Sequence, residues 1–403
     1  MARKRTSSAP ELLLAIDREA PESILRQVEA TLRSAVREGR LRAGSGLPST
    51  RTLARELGIS RGVVVEAYEQ LVAEGYLTSH QGGTTRVART AARRGVRPGA
   101  TAPTEYAVDF RPGRPDLTAF PREAWLRSLR RALAVAPASR LGYLDGRGVP
   151  ELRIALADYL NRVRGTVAGP DDVVVTVGHS QGVALLAALL REDGQRRIAV
   201  ERPSHPEIRA TLRAAGFEVV EIPVDGDGLR VELLERARVG AVLVTPAHQY
   251  PTGVVLSADR RQRLFAWAER RNAFIFEDDY DAEFRYDRAP IGALQGLRPE
   301  RVVYGGSASK VLAPGLRLGW FIAPAPLADR MAALKKSRDQ GSPALDQLAF
   351  ADFVARGELG RHLRRMRPIY RARRDRLIDA LGRHLPELEP VGAAAGLDRK
   401  SVV

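Results

Sequence analysis

Cysteine is absent from all 403 residues, which excludes disulfides and thiolate-held metal sites and makes a reducing, intracellular compartment the simpler expectation. No apolar run approaches the ~20 residues that a membrane-spanning helix needs. The N-terminal stretch MARKRTSSAPELLLAID is basic, but its apolar part is too short for a secretory signal and has acids on both sides. A cytoplasmic protein without membrane partners is expected. Hydrophobic content of 44% and charged content of 28% are those of a soluble globular chain, long enough for two or three domains. The net charge is +16, and residues 1–100 carry 17 Lys and Arg against 10 Asp and Glu. Much of the rest lies in the arginine-dense stretch Arg361 to Arg376. Such basicity suits a polyanion, and a solvated arginine surface equally well.

The first domain-sized pattern is helical. Ile24, Val28, Leu32 and Val36 recur at helical spacing within residues 21–45, and Gly39 lies just past their end. Ser49 is a candidate N-cap for a helix through Leu57, which Gly58 terminates. Ser60 caps a second helix, whose apolar positions Val64, Tyr68, Leu71 and Val72 face a core. Two short helices, a glycine turn and a pair of strands with the tip Gly82-Gly83 spell a winged helix-turn-helix. Its second helix offers Arg61 to base edges in a major groove, with Arg51 and Arg86 placed for phosphates. Residues 89–104 lack apolar periodicity and are rich in Arg, Gly, Ala and Pro, as a flexible basic tether is.

From Tyr106 the texture changes. Seven short apolar runs, Val173–Val177, Ile198–Val200, Val219–Ile222, Ala241–Val244, Phe274–Phe276, Val302–Tyr304 and Leu318–Ile322, alternate with amphipathic helical stretches. This predicts an α/β domain with a mostly parallel sheet covered on both faces and a ligand beyond the strands' carboxyl ends. The candidate residues fall there. Lys310 follows the run Val302–Tyr304, between Ser307 and Ser309 on one side and Arg317 on the other. A desolvated lysine amine adds to a carbonyl to form a Schiff base, while hydroxyls and a guanidinium hold a phosphate. Gly178-His179-Ser180 opens a helix after a strand, where backbone N–H groups cradle an anion. Asp278 and Asp279, in the run Glu277 to Asp281, offer a carboxylate to a protonated pyridine nitrogen; three acids in a row also suit a metal or a solvated loop. Tyr280 is a donor for a ring hydroxyl, and His205 has a flat ring to stack on a pyridine.

Two sets of motifs carry a family resemblance. Leu47–Ala54 and Ser60–Tyr68 match the Leu-Pro-Ser-x-Arg-x-Leu-Ala and Ser-Arg-x-x-Val-x-x-Ala-Tyr signatures of GntR-type winged helices. Carried over by position, the DNA contacts are Arg51, Ser60, Arg61, Val63 and Gly82. The forms RPGRPD (111–116), TPAHQYPTG (245–253), EDDYDAEFRY (277–286), SASKVLAPGLRLG (307–319) and RHLRRMRPIYRARRD (361–375) resemble the MocR subfamily of GntR regulators. That subfamily joins a winged helix to a fold-type I, class I and II aminotransferase-like domain. The resemblance implies a seven-stranded, mostly parallel sheet in that second domain. It also implies a transcriptional regulator that uses pyridoxal 5'-phosphate to sense an amino acid or a vitamin B6 form, and a domain-swapped homodimer on double-stranded operator DNA. The alternative is a catalytically active aminotransferase with a DNA-binding appendage.

By this carry-over Lys310 is the catalytic lysine and Schiff-base former. Asp278, preferred over Asp279, pairs with the pyridine nitrogen, Tyr280 with the ring hydroxyl, and His205 stacks where the subfamily usually has tyrosine. Gly178, His179, Ser180, Ser307 and Arg317 hold the phosphate, and Tyr143 reaches it across the dimer interface. No metal is expected. Tyr250 stands where the enzymes have asparagine, so His248 or Gln249 is the expected substitute. The implied organisation is a winged helix over 12–88, a linker over 89–105 and an effector domain over 106–403. The tail Asp398–Val403 fits no part of the family pattern, so an incomplete C-terminal subdomain without the family's late substrate-binding arginine is expected.

Overall fold

A computed structural model describes residues 16–79, 84–89, 113–281, 283–284 and 291–387. The chain divides into two compact units between Ala107 and Val108. In the first, α1 spans Ile24–Arg37, α2 Thr50–Leu57 and α3 Arg61–Ala73. The strands β1 (Leu77–Thr78) and β2 (Arg86–Val87) pair antiparallel behind them. Each helix starts where a serine side chain accepts from the first turn: Ser23 from Arg26 N, Ser49 from Thr52 N and Ser60 from Val63 N. Gly58, at φ +63°, ends α2 in the left-handed conformation that a side chain disfavours. α1 is shorter than residues 21–45 because Ser23 caps its start and Gly39, at φ +76°, turns the chain back. Leu32, Leu53, Val64 and Leu71 are completely buried between the three helices. Each such side chain contributes about 1.5–3 kcal/mol of burial. Val72 is only partly buried at the edge of this core.

The second unit is an α/β domain. Its elements in order are α4 (Arg122–Val135), α5 (Pro150–Arg164), β3 (Val173–Val177), α6 (His179–Glu192), β4 (Arg197–Arg202) and α7 (Pro206–Ala214). There follow β5 (Glu218–Asp225), β6 (Gly228–Leu229), α8 (Leu234–Ala237), β7 (Ala241–Val244), α9 (Ala258–Arg271) and β8 (Phe274–Asp278). The last are β9 (Val302–Ser307), α10 (Ala308–Val311), β10 (Leu318–Ile322), α11 (Ala325–Asp339), α12 (Ala344–Ala355) and α13 (Glu358–His384). The sheet order is β3-β10-β9-β8-β7-β4-β5-β6. The run from β9 to β5 is parallel, while β10 is antiparallel to both its neighbours. All seven expected strands are present, and the eighth, β6, is a two-residue edge strand folded back on β5. Its Gly-Leu pair is too short to leave a periodic signal.

The central strands read as continuous apolar runs because both faces are covered. Ile198, Val200, Leu243 and Phe276 pack into one core, while Ala199, Val242, Val244 and Ile275 pack into the other. The basic stretch Arg361 to Arg376 lies on α13, which buries only Leu359, His362, Leu363 and Met366. Because β4, β7, β8 and β9 run in one direction, their carboxyl ends, with His205, Thr245, Asp278 and Lys310 at or just beyond them, gather at one edge of the sheet.

Candidate functional site

A cavity of about 280 Å³ opens at that edge. Lys310, Asp278, Tyr280, His179, Ser180, His205, Ser307 and Arg317 all line it. Lys310 sits in the single turn α10, and its Nζ donates to the Gly113 carbonyl at 2.6 Å. Asp278 ends β8 almost buried, its Oδ1 3.2 Å from His179 Nε2. Burial raises the Asp278 carboxyl above its ordinary pKa, and His179 partly offsets this. His179 in turn stacks on Phe321, ring centroids 5.2 Å apart.

The two candidate aspartates have different surroundings. Asp279 Oδ2 accepts from buried Arg164 Nε at 2.7 Å and from the Tyr304 hydroxyl at 2.8 Å, and Asp279 does not line the cavity. Alternation along an extended chain puts neighbouring side chains on opposite faces, so only Asp278 reaches the cavity.

Beside Asp278, α6 begins at His179 directly after Gly178. Gly178 has φ +78°, and a Cβ there would lie 2.7 Å from Arg317 Nη2. The missing side chain lets the guanidinium approach the helix start, where Arg317 Nη2 also donates to the Val177 carbonyl at 2.9 Å. The N-terminus of α6, Ser180, Ser307 and Arg317 come together here, a set of donors whose chemistry suits an anion. Gly178 shapes this cradle without lining the cavity itself.

His205 caps α7 by accepting from Glu207 N, and its ring lies 5.0 Å from that of Tyr250 at 33°. Burial lowers its pKa, which favours the neutral ring. Neither His248 nor Gln249, the expected substitutes for asparagine, lines the cavity; Tyr250 does. Gln249 is engaged with Glu201, the Pro203 and Tyr250 carbonyls, and Thr252. Tyr143 is 89% exposed and does not line this chain's own cavity.

Sequence reasoning missed three participants. The Gly113 carbonyl holds Lys310, and a backbone atom carries no residue-type signal. Buried Glu201 lines the cavity and accepts from Thr245 N, Thr245 Oγ1 and Gln249 Nε2; burial pushes it up to about 7 against these bonds. Its place at the end of a strand was the available signal. Arg164 reads in sequence as an ordinary basic residue in a helix's last turn.

In the first unit, Arg51, Ser60 and Arg61 are exposed and Val63 is half-buried, the last three at the start of α3. Arg61 Nε is 3.4 Å from Thr50 Oγ1, tying the start of α3 to the start of α2. Arg86 is exposed and donates to the Gly44 carbonyl at 3.0 Å. Gly82 lies outside the described residues. Among the described residues no helix is long and apolar enough to cross a membrane, and no group of acids and histidines is placed to hold a metal.

Comparison with known proteins places both units. Residues 25–87 match the gntR family of bacterial regulatory proteins, and residues 113–397 match aminotransferase class I and II. The chain is similar to the pyridoxine biosynthesis transcriptional regulator PdxR of Corynebacterium glutamicum, at 37% identity over 94% of this chain and 84% of that protein. It is also similar to a probable rhizopine catabolism regulatory protein, MocR, of Rhizobium meliloti, at 35% identity over 93% of this chain and 80% of that one. Among solved structures, the kynurenine aminotransferase of Pyrococcus horikoshii superposes with a TM-score of 0.65 at 27% identity, over 71% of this chain and 73% of that one.

Proposed function

Since this chain belongs to the GntR family of transcriptional regulators, in the MocR and PdxR branch that carries an aminotransferase-like domain, we propose that its cavity binds pyridoxal 5'-phosphate and an amine-bearing effector. The observation that carries the reading is the convergence of Lys310, Asp278 and the Gly178–Arg317 cradle on one cavity. The donor set fits the group: a primary amine for the aldehyde, a desolvated carboxylate for the ring nitrogen, and a cradle shaped by a missing Cβ for the phosphate. Lys310 would hold the group covalently, and Asp278, with His179 beside it, would keep the ring nitrogen protonated. Tyr280 would face the ring oxygen and His205 a ring face, while Ser180, Ser307, Arg317 and the start of α6 would bind the phosphate. When bound, the group supplies a carbonyl that exchanges amines and a ring that withdraws electrons.

The regulatory consequence follows from linkage. An amino acid or vitamer that competes for the amine position shifts DNA binding only by the difference in its affinity for two arrangements of the protein. We assign residues 12–88 to DNA recognition, with Arg51, Ser60, Arg61, Val63 and Gly82 as contacts, 89–105 to a linker, and 106–403 to sensing. The division of the chain at Ala107 supports that partition. The active form in this reading is a cytoplasmic, domain-swapped homodimer on double-stranded DNA, in which the exposed Tyr143 serves the partner's phosphate site.

The test is the visible spectrum of the protein with added pyridoxal phosphate, beside Lys310→Ala. A new band in the wild type that is absent from the variant supports the reading. Free aldehyde in both overturns it and leaves DNA binding as the function.

A further inference from the structure

Next to the cavity, Tyr280 meets two buried polar side chains that do not line it, His248 and Asp281. His248 lies in the loop after β7 and is 6% exposed; Asp281 lies just beyond β8 and is also buried. His248 Nδ1 is 2.9 Å and 3.2 Å from the two Asp281 carboxylate oxygens. The same nitrogen is 3.0 Å from the Tyr280 hydroxyl. The His248 and Tyr280 rings stack at 26°, and Tyr250 meets Tyr280 edge-on, so the phenol is held on two sides. Only Tyr280 and Tyr250 of this group line the cavity.

The proton count sets the direction of these bonds. A carboxylate oxygen accepts, and both Asp281 oxygens lie within reach of Nδ1, so the geometry suits the tautomer with its hydrogen on Nδ1 directed at Asp281. A ring nitrogen that carries a hydrogen cannot also accept one from Tyr280. In that tautomer the Tyr280 oxygen accepts the second limb of a bifurcated Nδ1–H bond shared with Asp281, and its own hydrogen is directed away from Nδ1. Accepting one hydrogen bond makes a hydroxyl a better donor of the next.

We infer that His248, oriented by Asp281, is a positioning residue that holds the Tyr280 hydroxyl as a hydrogen-bond donor toward an oxyanion in the cavity. This rests on the cofactor reading above, in which that oxyanion is the ring oxygen of pyridoxal phosphate. The arrangement answers the missing asparagine: a buried histidine one step removed acts through the tyrosine, in place of a direct contact. The other titratable groups that line the cavity with Tyr280 are Asp278 on β8, Glu201 on β4, His179 on α6, His205 and Glu207 at α7, Tyr250 after β7, Lys310 on α10 and Arg317 before β10. None of them is changed by substitution at His248.

Two measurements test the inference. The first uses the cofactor-free protein, labelled with ¹⁵N-histidine and assigned by difference from His248→Phe. An Nδ1–H signal for His248 that moves in Tyr280→Phe is expected, and an Nε2–H tautomer overturns the inference. The second follows the visible band of the protein with pyridoxal phosphate as a function of pH. Loss of a donor to the ring oxygen makes that oxygen hold a proton more tightly. His248→Phe and Tyr280→Phe should therefore each raise the midpoint by about half a unit to one unit, the size of one net hydrogen bond. The double variant should match Tyr280→Phe alone, and His248→Asn, which keeps a donor near the Nδ1 position, should recover most of the shift. No shift in His248→Phe, or additive shifts in the double variant, overturns the inference. If the wild type gives no lysine-dependent band, the cofactor reading fails, and the tautomer measurement alone decides the His248–Tyr280 pairing.

Discussion

Replacing Arg164 with Met should destabilise the aminotransferase-like unit by about 3 kcal/mol. Arg164 is 1% exposed and donates through Nε to Asp279 Oδ2 at 2.7 Å. Desolvation works against its charge, yet the Asp279 carboxylate, aided by Tyr304 and Glu283, raises its pKa above the ordinary arginine value. Methionine keeps much of the stem's volume but leaves the 7% exposed Asp279 with the Tyr304 hydroxyl as its side-chain donor. Breaking a buried pair from one side costs roughly 3–5 kcal/mol. The low end applies because Arg164 Nη1 and Nη2 are already buried without hydrogen-bond partners among the described residues, so the native pair is itself incompletely satisfied. Adding Asp279→Asn should recover more than half of the loss, since it removes the orphaned charge. Urea unfolding followed by tryptophan fluorescence isolates the effect, because all three tryptophans, Trp125, Trp267 and Trp320, lie in the second unit. A loss below about 1 kcal/mol, or a double variant no better than the single, would refute the claim that this ion pair holds the end of β8.

Three further outcomes are expected. Gly178→Ala forces a side chain into the left-handed region and against Arg317; it should cost about 1–2 kcal/mol and weaken binding of inorganic phosphate measured by calorimetry, and unchanged phosphate affinity would count against the cradle. Arg61→Ala should reduce operator affinity by about 1–3 kcal/mol and relax specificity at one position in a gel-shift series, while an equal loss on all sequences would make Arg61 a backbone contact. Glu201, raised from 4.5 to about 7, binds its proton more tightly folded than unfolded, so its contribution to stability is present below 4.5 and is lost as pH rises to about 7. The stability of Glu201→Gln relative to wild type should therefore increase across that window, and a pH-independent difference would show that Glu201 does not titrate there.

Legibility in the sequence followed the locality of each signal. Ser49, Gly58 and Ser60 bound their helices by bonds to neighbours three or four residues away, so α2 and the start of α3 could be placed nearly to the residue. The strands of the parallel sheet announced themselves because burial on both faces demands unbroken apolar runs. β6 escaped because two residues have no period. The cavity residues were legible because strand ends are where an α/β sheet binds ligands, and eight of the predicted side chains do line one cavity.

What the sequence determined by itself was the order of parts: a winged helix, then an α/β unit with a lysine, aspartates and a glycine each at a strand's end. Those depend on local periodicity, caps and residue chemistry, which one chain read in order displays. Only the tertiary structure decided which aspartate faces the cavity, that Arg164 holds the other, that the Gly113 carbonyl receives Lys310, and that His248 meets Tyr280. Each of those pairs joins residues more than thirty positions apart or turns on a backbone atom. Their meeting is set by sheet order and strand register, which no local pattern encodes.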